Sequence, residues 1–257
     1  MKIIVIKCGG SIVDKLSPTF FDSLHLMMKT GYVPIFVHGG GPDINKMLEL
    51  YEIEPIFHHG LRKTTKETLR VVEMVLTGET NRKLTAKLQE HGFNPLGLSG
   101  SDGGCLQGVF IDKEKLGYVG EINAVNKQLM INLIEKNYLP VLTPIAITEK
   151  GTKLNVNADY AAAAVAVALK AEQCLFVTDV KGILMNGEVI KSISVAETYK
   201  LIENGTITRG MIPKVESAIS AIHKGMQSAR IVSGKTAIFE NDLFLGTKIF
   251  EKERVLK

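Results

Sequence analysis

Short apolar runs alternate with longer segments of helical periodicity along the whole chain. The run from Lys2 to Lys7 is apolar at four consecutive positions, Ile3 to Ile6. Pro18 to Lys29 then repeats apolar residues at three- and four-residue spacing, and Val33 to His38 is strand-like again. Strands apolar on consecutive positions, as at Ile3–Ile6 and Ile35–Val37, are what a largely parallel sheet requires when helices cover both of its faces. The pattern therefore predicts an α/β fold, a three-layer αβα sandwich around a mainly parallel, open central sheet. Ser17-Pro18 supplies an N-cap and a preset first helical residue, and Gly31 closes that helix. Thr64-x-x-Glu67 and Ser194-x-x-Glu197 read as capping boxes ahead of apolar periodic runs.

From Leu106 to Asn123 the rhythm breaks into short β-like pieces and turns, which predicts a hairpin at the sheet edge or over a binding cleft. No Pro- or Ser-rich linker, repeat or low-complexity tract divides the chain. It reads as a single domain over residues 1–257, with an N-lobe of about 1–150 and a C-lobe of about 151–257. The lobes share one sheet and meet near residues 145 to 175.

Composition removes several classes of function. With 257 residues, 45% hydrophobic and 23% charged, the chain is long enough to bury roughly three quarters of its unfolded surface without disulfides or metal. Cys8, Cys105 and Cys174 are odd in number and widely spaced, which argues against a disulfide framework and a structural zinc site, and makes the cytoplasm the expected compartment. The net charge of +4 is not concentrated in any basic arm, so no nucleic-acid partner is expected. The most apolar run, Ala161 to Leu169, is far short of the roughly 20 residues a membrane-spanning helix needs, and the first ten residues lack a signal-peptide core.

Candidate chemistry gathers where strands end. Gly9-Gly10 follows the first strand, Gly39-Gly40-Gly41 the second, and Gly97, Gly100, Gly103 and Gly104 a third. Any one cluster is explained by a tight βα turn, but three at the carboxyl edge of an α/β sheet favour backbone N–H groups cradling anionic oxygens. Lys7 ends the first strand, either as a solvent-facing side chain or as a point charge for phosphate. In Asn155-Val156-Asn157-Ala158-Asp159, three short polar side chains precede or open a helix starting at Ala158, where capping needs only one. Thr178 to Gly182 repeats the strand-then-polar-turn pattern. Lys214 sits at the start of a helix from Pro213, an unfavourable place for a cation unless an anion is its partner; a lone surface lysine is the alternative.

No Gly-x-Gly-x-x-Gly occurs. The relaxed phosphate-loop match from Ala229 to Thr236 is rejected because Arg230 to Val232 reads as strand where the loop should be. His58-His59 is read as a surface pair whose side chains point apart, not as a metal site.

KCGGS at 7–11, HGGG at 38–41, HGLR at 59–62, NVNAD at 155–159, TDVKGIL at 178–184 and GMIPK at 210–214 occur in an order that resembles the amino acid kinase superfamily, and more narrowly its N-acetyl-L-glutamate kinases. The resemblance runs from Lys2 to Lys257. It implies transfer of a phosphoryl group from ATP, carried with Mg²⁺, to the side-chain carboxylate of N-acetyl-L-glutamate, in arginine biosynthesis, with no structural metal. By motif position it gives Lys7 and Lys214 to stabilising the phosphoryl group and Asp159 to holding both lysines. Gly40 and Gly41, with Gly9 and Gly10, would donate N–H groups; Arg62 would grip the α-carboxylate, and Asn155 and Asn157 would bind the amide and carboxylate end. Asp179, Val180, Lys181, Gly182, Ile183 and Leu184, with Thr206, Ile207, Thr208 and Met211, would line the ATP pocket. The first strand begins at about residue 2, without the N-terminal helix of arginine-inhibited hexameric relatives, so a homodimer insensitive to arginine is expected. Kinases acting on acetylaminoadipate or on another carboxylate or carbamate would share these residues. A non-catalytic sensor would not need Lys7, Asp159 and Lys214 together.

Overall fold

A computed structural model describes residues 1–208 and 210–251; Arg209 and residues 252–257, which the expected domain includes, lie outside the described residues. β1 (Lys2–Cys8) leads into the one-turn helix α1 (Gly10–Val13). The Ser17 hydroxyl accepts from the Phe20 N–H to cap α2 (Pro18–Lys29), as the sequence predicts. β2 (Tyr32–His38), α3 (Gly41–Leu50) and the small hairpin β3 (Phe57–His58) and β4 (Leu61–Arg62) follow. Thr65, not Thr64, caps α4 (Lys66–Glu73), its hydroxyl accepting from the Thr68 N–H; Thr64 is fully buried and bonded elsewhere. A π-helical turn, Met74–Thr80, joins α4 to α5 (Asn81–Glu90).

β5 (Pro95–Ser99) precedes the predicted hairpin, β6 (Leu106–Phe110) and β7 (Val119–Val125), which are antiparallel and flank the short α6 (Lys113–Leu116). α7 (Lys127–Glu135) and β8 (Leu139–Thr143) come next, then β9 (Ile145–Ile147) and β10 (Lys153–Val156). The hairpin does not stand alone: β10, β7, β6 and β9 close into a small barrel. α8 (Ala158–Ala168), β11 (Gln173–Thr178), the hairpin β12 (Leu184–Met185) and β13 (Glu188–Val189), and β14 (Ser192–Ser194) lead to α9 (Val195–Glu203). The Ser194–Glu197 capping box is formed as predicted. α10 (Ile212–His223), β15 (Ser228–Ser233), β16 (Phe239–Glu240), β17 (Leu243–Phe244) and β18 (Thr247–Phe250) complete the described chain. Arg230 to Val232 is strand and no helix follows it among the described residues, so the phosphate-loop match has no structural counterpart there.

The central sheet has eight strands in the order β14-β18-β15-β11-β1-β2-β8-β5, parallel at every pairing except β15 with β18. Strands from before residue 150 occupy one half and strands from after it the other, with β1 beside β11 at the seam. Alternate residues of β1 enter different cores. Ile3 and Val5 pack with α7, α8 and α10 on one face; Ile4, Ile6 and Cys8 pack with Phe20, Phe21 and Leu24 of α2 on the other. Consecutive apolar positions thus have the meaning assigned to them. Burial pushes the Cys8 thiol up to about 12, which makes it a packing residue and not a nucleophile. α8 is a run of small residues, Ala161, Ala162, Ala163, Val165 and Ala166 all buried, and lies between the sheet, β7 and α10. No helix among the described residues is long and apolar enough to cross a membrane.

His38, at the carboxyl end of β2, has no exposed surface. Its Nδ1 lies 3.1 Å from the Gly39 carbonyl oxygen and its Nε2 3.1 Å from Asn81 Nδ2, which also donates to the Val141 carbonyl. A neutral ring with the proton on Nδ1 satisfies both contacts. Burial, outweighing the Gly39 bond, pushes its pKa down from 6.5 to about 4. The unfolded chain therefore takes up a proton below pH 6.5 that the native chain refuses, and stability is lost as pH falls from there towards 4. Urea unfolding should show the wild type losing roughly 2 kcal/mol more than His38→Gln between pH 7 and pH 5. Equal losses in the two proteins would contradict this reading of His38.

Candidate active site

Two glycine turns meet at the carboxyl ends of β1 and β2. The Gly39 N–H donates to the Cys8 carbonyl at 2.9 Å, and a Cβ on Gly10 would lie 2.7 Å from Gly40 Cα. A Cβ on Gly40 would lie 2.7 Å from Leu76 Cδ2 and 3.0 Å from Thr80 Oγ1, both on the π-helical turn. Close approach, not backbone dihedral, demands glycine at these two positions; the Gly40 φ of −163° is ordinary extended backbone. The π turn sets Leu76 and Thr80 against the Gly40 turn, a common placement of such turns at functional sites.

Above the seam, Lys7 Nζ of β1 lies 2.8 Å from Asp159 Oδ1 in the first turn of α8, with side chains only 17% and 16% exposed. Asn157 caps that helix, its Oδ1 accepting from the Asp159 and Tyr160 N–H groups, which leaves its Nδ2 protons uncommitted by the cap. The second Asp159 oxygen accepts from the Ser217 hydroxyl at 2.8 Å. The family resemblance implies that Asp159 holds both lysines. Instead Lys214 Nζ donates to Asp179 Oδ1 at 2.6 Å, and Ser217, about one turn further along α10, is what that helix offers Asp159. The Lys214 hydrogen bond holds the Asp179 carboxyl below the usual carboxylate range. The anion anticipated for Lys214 at its helix start is thus a protein side chain.

Arg62 is buried at the end of β4. Its Nη2 donates to Asn45 Oδ1 at 2.6 Å, its guanidinium carbon sits 4.6 Å from the centre of the Phe57 ring, and its Nη1 is buried with no partner among the described residues. Burial alone lowers its pKa, and a guanidinium remains charged regardless. A buried N–H of a charged group without an acceptor is costly unless a ligand supplies one. Asn155 Nδ2, on β10, donates to Thr64 Oγ1 at 3.0 Å.

Gly9, Gly10, Gly40, Gly41, Arg62, Asn155 and Asn157, with Lys7 and Asp159, all line one cavity of about 350 Å³. Ser11, Phe57, Leu61 and Pro144 are among the further lining residues that sequence reasoning missed, as is Asn45, which accepts from Arg62. Nothing local in the sequence links Asn45 to Arg62; only the fold brings them together.

The residues given to ATP surround the carboxyl end of β11 and the start of α10, outside that cavity. Val180 N–H donates to Thr178 Oγ1, and the Thr208 carbonyl accepts from Met211 and Ile212 N–H groups. Ile183 and Ile207 bury their side chains in the core, leaving only backbone to face a ligand, whereas Leu184 and Thr206 are exposed. Lys181 lines a second cavity, about 540 Å³, with Lys191, Arg230 and Phe244. Asp179 and Gly182 flank it in sequence.

His58 and His59 are exposed, as expected, but do not point apart. His59 adopts a φ of 47° in the turn, and the two rings stack with centres 5.4 Å apart. Among the described residues no group of three or more His, Cys, Asp or Glu could hold a metal ion.

Residues 2–233 match the amino acid kinase family model. The acetylglutamate kinase of Geobacillus stearothermophilus is 48% identical over 248 residues, covering 96% of each chain, and that of Bacillus pumilus is 46% identical over 256 residues, covering 99% of each. Among solved structures, a Streptococcus mutans protein superposes with a TM-score of 0.83 at 34% identity, covering 97% of this chain and 99% of that one. The Neisseria gonorrhoeae N-acetylglutamate synthase, solved with coenzyme A and N-acetylglutamate, shares the fold with a TM-score of 0.78 at 20% identity, covering 98% of this chain and 60% of that one. With a family model spanning most of its length and relatives at nearly half identity from end to end, the chain belongs to the amino acid kinase family and, within it, to the acetylglutamate kinases.

Proposed function

We propose that this chain transfers the γ-phosphoryl group of ATP, presented with Mg²⁺, to the side-chain carboxylate of N-acetyl-L-glutamate, giving N-acetyl-L-glutamyl 5-phosphate and ADP, a reaction of arginine biosynthesis. The observation that carries the acceptor side is the buried, unpartnered Nη1 of Arg62, in the cavity that also holds Lys7, Asp159 and the two glycine turns. A carboxylate acceptor is ionised near neutral pH, so no general base is needed, and no histidine lines the cavity among the described residues. The protein's work is to align two anions and neutralise the charge between them.

In this reading Arg62 clamps the α-carboxylate, and Asn155 and Asn157 engage the acetamido and carboxylate groups. N–H groups of the turns at Gly9-Gly10 and Gly40-Gly41 bind the acceptor carboxylate and the phosphoryl oxygens. Lys7 neutralises the moving phosphoryl group from the acceptor side and Lys214 from the nucleotide side, each held in place by a carboxylate. ATP lies against Asp179 to Leu184, Thr206 to Thr208 and Met211. The acyl amino acid belongs chiefly to the lobe of about 1–150, with Asn155 and Asn157 reaching it from just beyond that boundary, and the nucleotide to that of about 151–257. The chain acts on small molecules in the cytoplasm, as a homodimer insensitive to arginine. Light scattering should give the mass of two chains, and a hexamer, or inhibition by millimolar arginine, would contradict that part.

The reaction is tested by incubating the protein with MgATP and hydroxylamine, which traps an acyl phosphate as a coloured hydroxamate. Colour should appear with N-acetyl-L-glutamate and not with glutamate, acetylaspartate or acetylaminoadipate. Colour with another acid overturns the substrate, and none with any acid, despite ATP binding, overturns the kinase in favour of a sensor. In the same assay Arg62→Lys should raise the KM for the acid on the order of tenfold or more and leave that for ATP unchanged, because an ammonium cannot reproduce the two parallel hydrogen bonds. A selective effect on ATP would contradict the role of Arg62.

A further inference from the structure

Thr64 touches neither substrate nor solvent in this reading, yet every polar group it owns is committed. Its N–H donates to the Leu116 carbonyl at 2.9 Å, and its carbonyl accepts from the Tyr118 N–H at 2.7 Å. Its hydroxyl donates to the Arg62 carbonyl at 2.7 Å and accepts from Asn155 Nδ2 at 3.0 Å. The backbone contacts pin the residue from outside. A Cβ at Gly117, where φ is 72°, would overlap the Thr64 carbonyl oxygen, and the Asn155 N–H itself donates to the Tyr118 carbonyl at 2.9 Å. The hairpin carrying Arg62, the turn at Gly117 and the strand carrying Asn155 are therefore tied at one fully buried side chain.

The directions of these bonds have a consequence for recognition. A hydroxyl has one proton, and the Arg62 carbonyl can only accept, so the Thr64 proton is spent there. Towards Asn155 the hydroxyl can then only accept, which obliges Asn155 to present its NH₂ to Thr64 and turns its Oδ1 away from that bond. Oδ1 receives no protein hydrogen bond among the described residues, and Asn155 lines the cavity that Arg62 enters. Which end of an amide faces which way is ordinarily ambiguous; here the chain of donors decides it.

We infer that Thr64 is a positioning residue that fixes Asn155 as a hydrogen-bond acceptor towards the ligand, so that the site selects an acyl amide, whose N–H can donate, over the isosteric ester, whose oxygen cannot. The inference rests on the acceptor substrate proposed above and adds how its acylated nitrogen is recognised. An acceptor facing an ester oxygen leaves both unpaired and mutually repelled, which is the situation in which polar sites discriminate most strongly.

The test compares N-acetyl-L-glutamate with its ester analogue, 2-acetoxyglutarate, in the hydroxamate assay. The wild type should favour the amide by roughly 100-fold or more in kcat/KM. Thr64→Val, nearly isosteric but without the hydroxyl, should reduce that preference to within about tenfold and raise the KM for acetylglutamate by roughly 10-fold or more, with the KM for ATP unchanged. Thr64→Ser, which keeps the hydroxyl and loses the methyl group, should retain the wild-type preference. A packing role predicts the reverse order, with valine tolerated and serine harmful. A valine variant with wild-type preference, or serine resembling valine, overturns the inference. So does a wild type that accepts the ester as readily as the amide, which decides the matter even if the valine variant fails to fold and leaves the kinase assignment standing. A wild type that binds ATP but phosphorylates neither acid overturns the proposed function and this inference with it.

Discussion

The ion pair between Lys7 and Asp159 is the contact on which the arrangement at the carboxyl end of the sheet depends. It spans the seam of the molecule, joining the end of β1 to the first turn of α8, and Asp159 extends the link to α10 through Ser217. A half-buried pair of this kind contributes little to stability once desolvation is counted, but removing either partner strands the other charge. Its value lies in position: it holds the Lys7 ammonium in the wall of the cavity that the two glycine turns also line. The small residues of α8 make this possible by letting the helix lie close to the sheet, which brings its N-terminus level with the end of β1.

The glycine turns are held with equal firmness by uncharged means. Gly10 and Gly40 touch backbone to backbone, the π turn seals the rear of Gly40, and neutral His38 ties β2 to Asn81 beneath them. A protonated imidazole at His38 could not accept from Asn81, so the burial that keeps it neutral is also what keeps the loop in register. Arg62 is treated the same way. Asn45 and Phe57 fix two of its faces and leave Nη1 without a partner, so the site is preorganised for an anion before one arrives. Lys214 differs, because its partner Asp179 is half exposed and belongs to the turn after β11. That pairing ties the start of α10 to the end of β11 and leaves the lysine free to exchange one anion for another.

Much of this was legible in the chain itself. The run Ile3–Ile6 had no polar face, so two covering layers were required, and both cores exist. Ser17, Ser194 and Asn157 cap the helices they announce, because a short polar side chain before a periodic run has few other uses. Failures came where the deciding contact is distant or the alternatives are chemically alike. Thr64 and Thr65 are both competent caps, and only burial against Arg62 and Asn155 separates them. β9 and β10 are too short to show a period, so the barrel closing over the hairpin was invisible. The π turn preserves the apolar pattern of the helices it joins, and the stacking of His58 on His59 depends on a turn at His59 that composition does not dictate. Lys214 is matched to Asp159 by resemblance, whereas Asp179, in the turn after β11, takes that place, and nothing in the local sequence chooses between the two carboxylates.

Whether the Lys7–Asp159 pair serves the phosphoryl group and not merely the fold is decided by a substitution at Asp159. Asp159→Asn retains the acceptor for Ser217 and leaves the Asn157 cap intact, so the variant should fold. Steady-state kinetics of this variant with N-acetyl-L-glutamate and MgATP test the claim most directly. The turnover number should fall on the order of 100-fold or more while the KM for acetylglutamate stays within about threefold of wild type, the pattern of a group that acts in the transition state. A turnover number within about threefold of wild type, or a loss confined to KM, would contradict it.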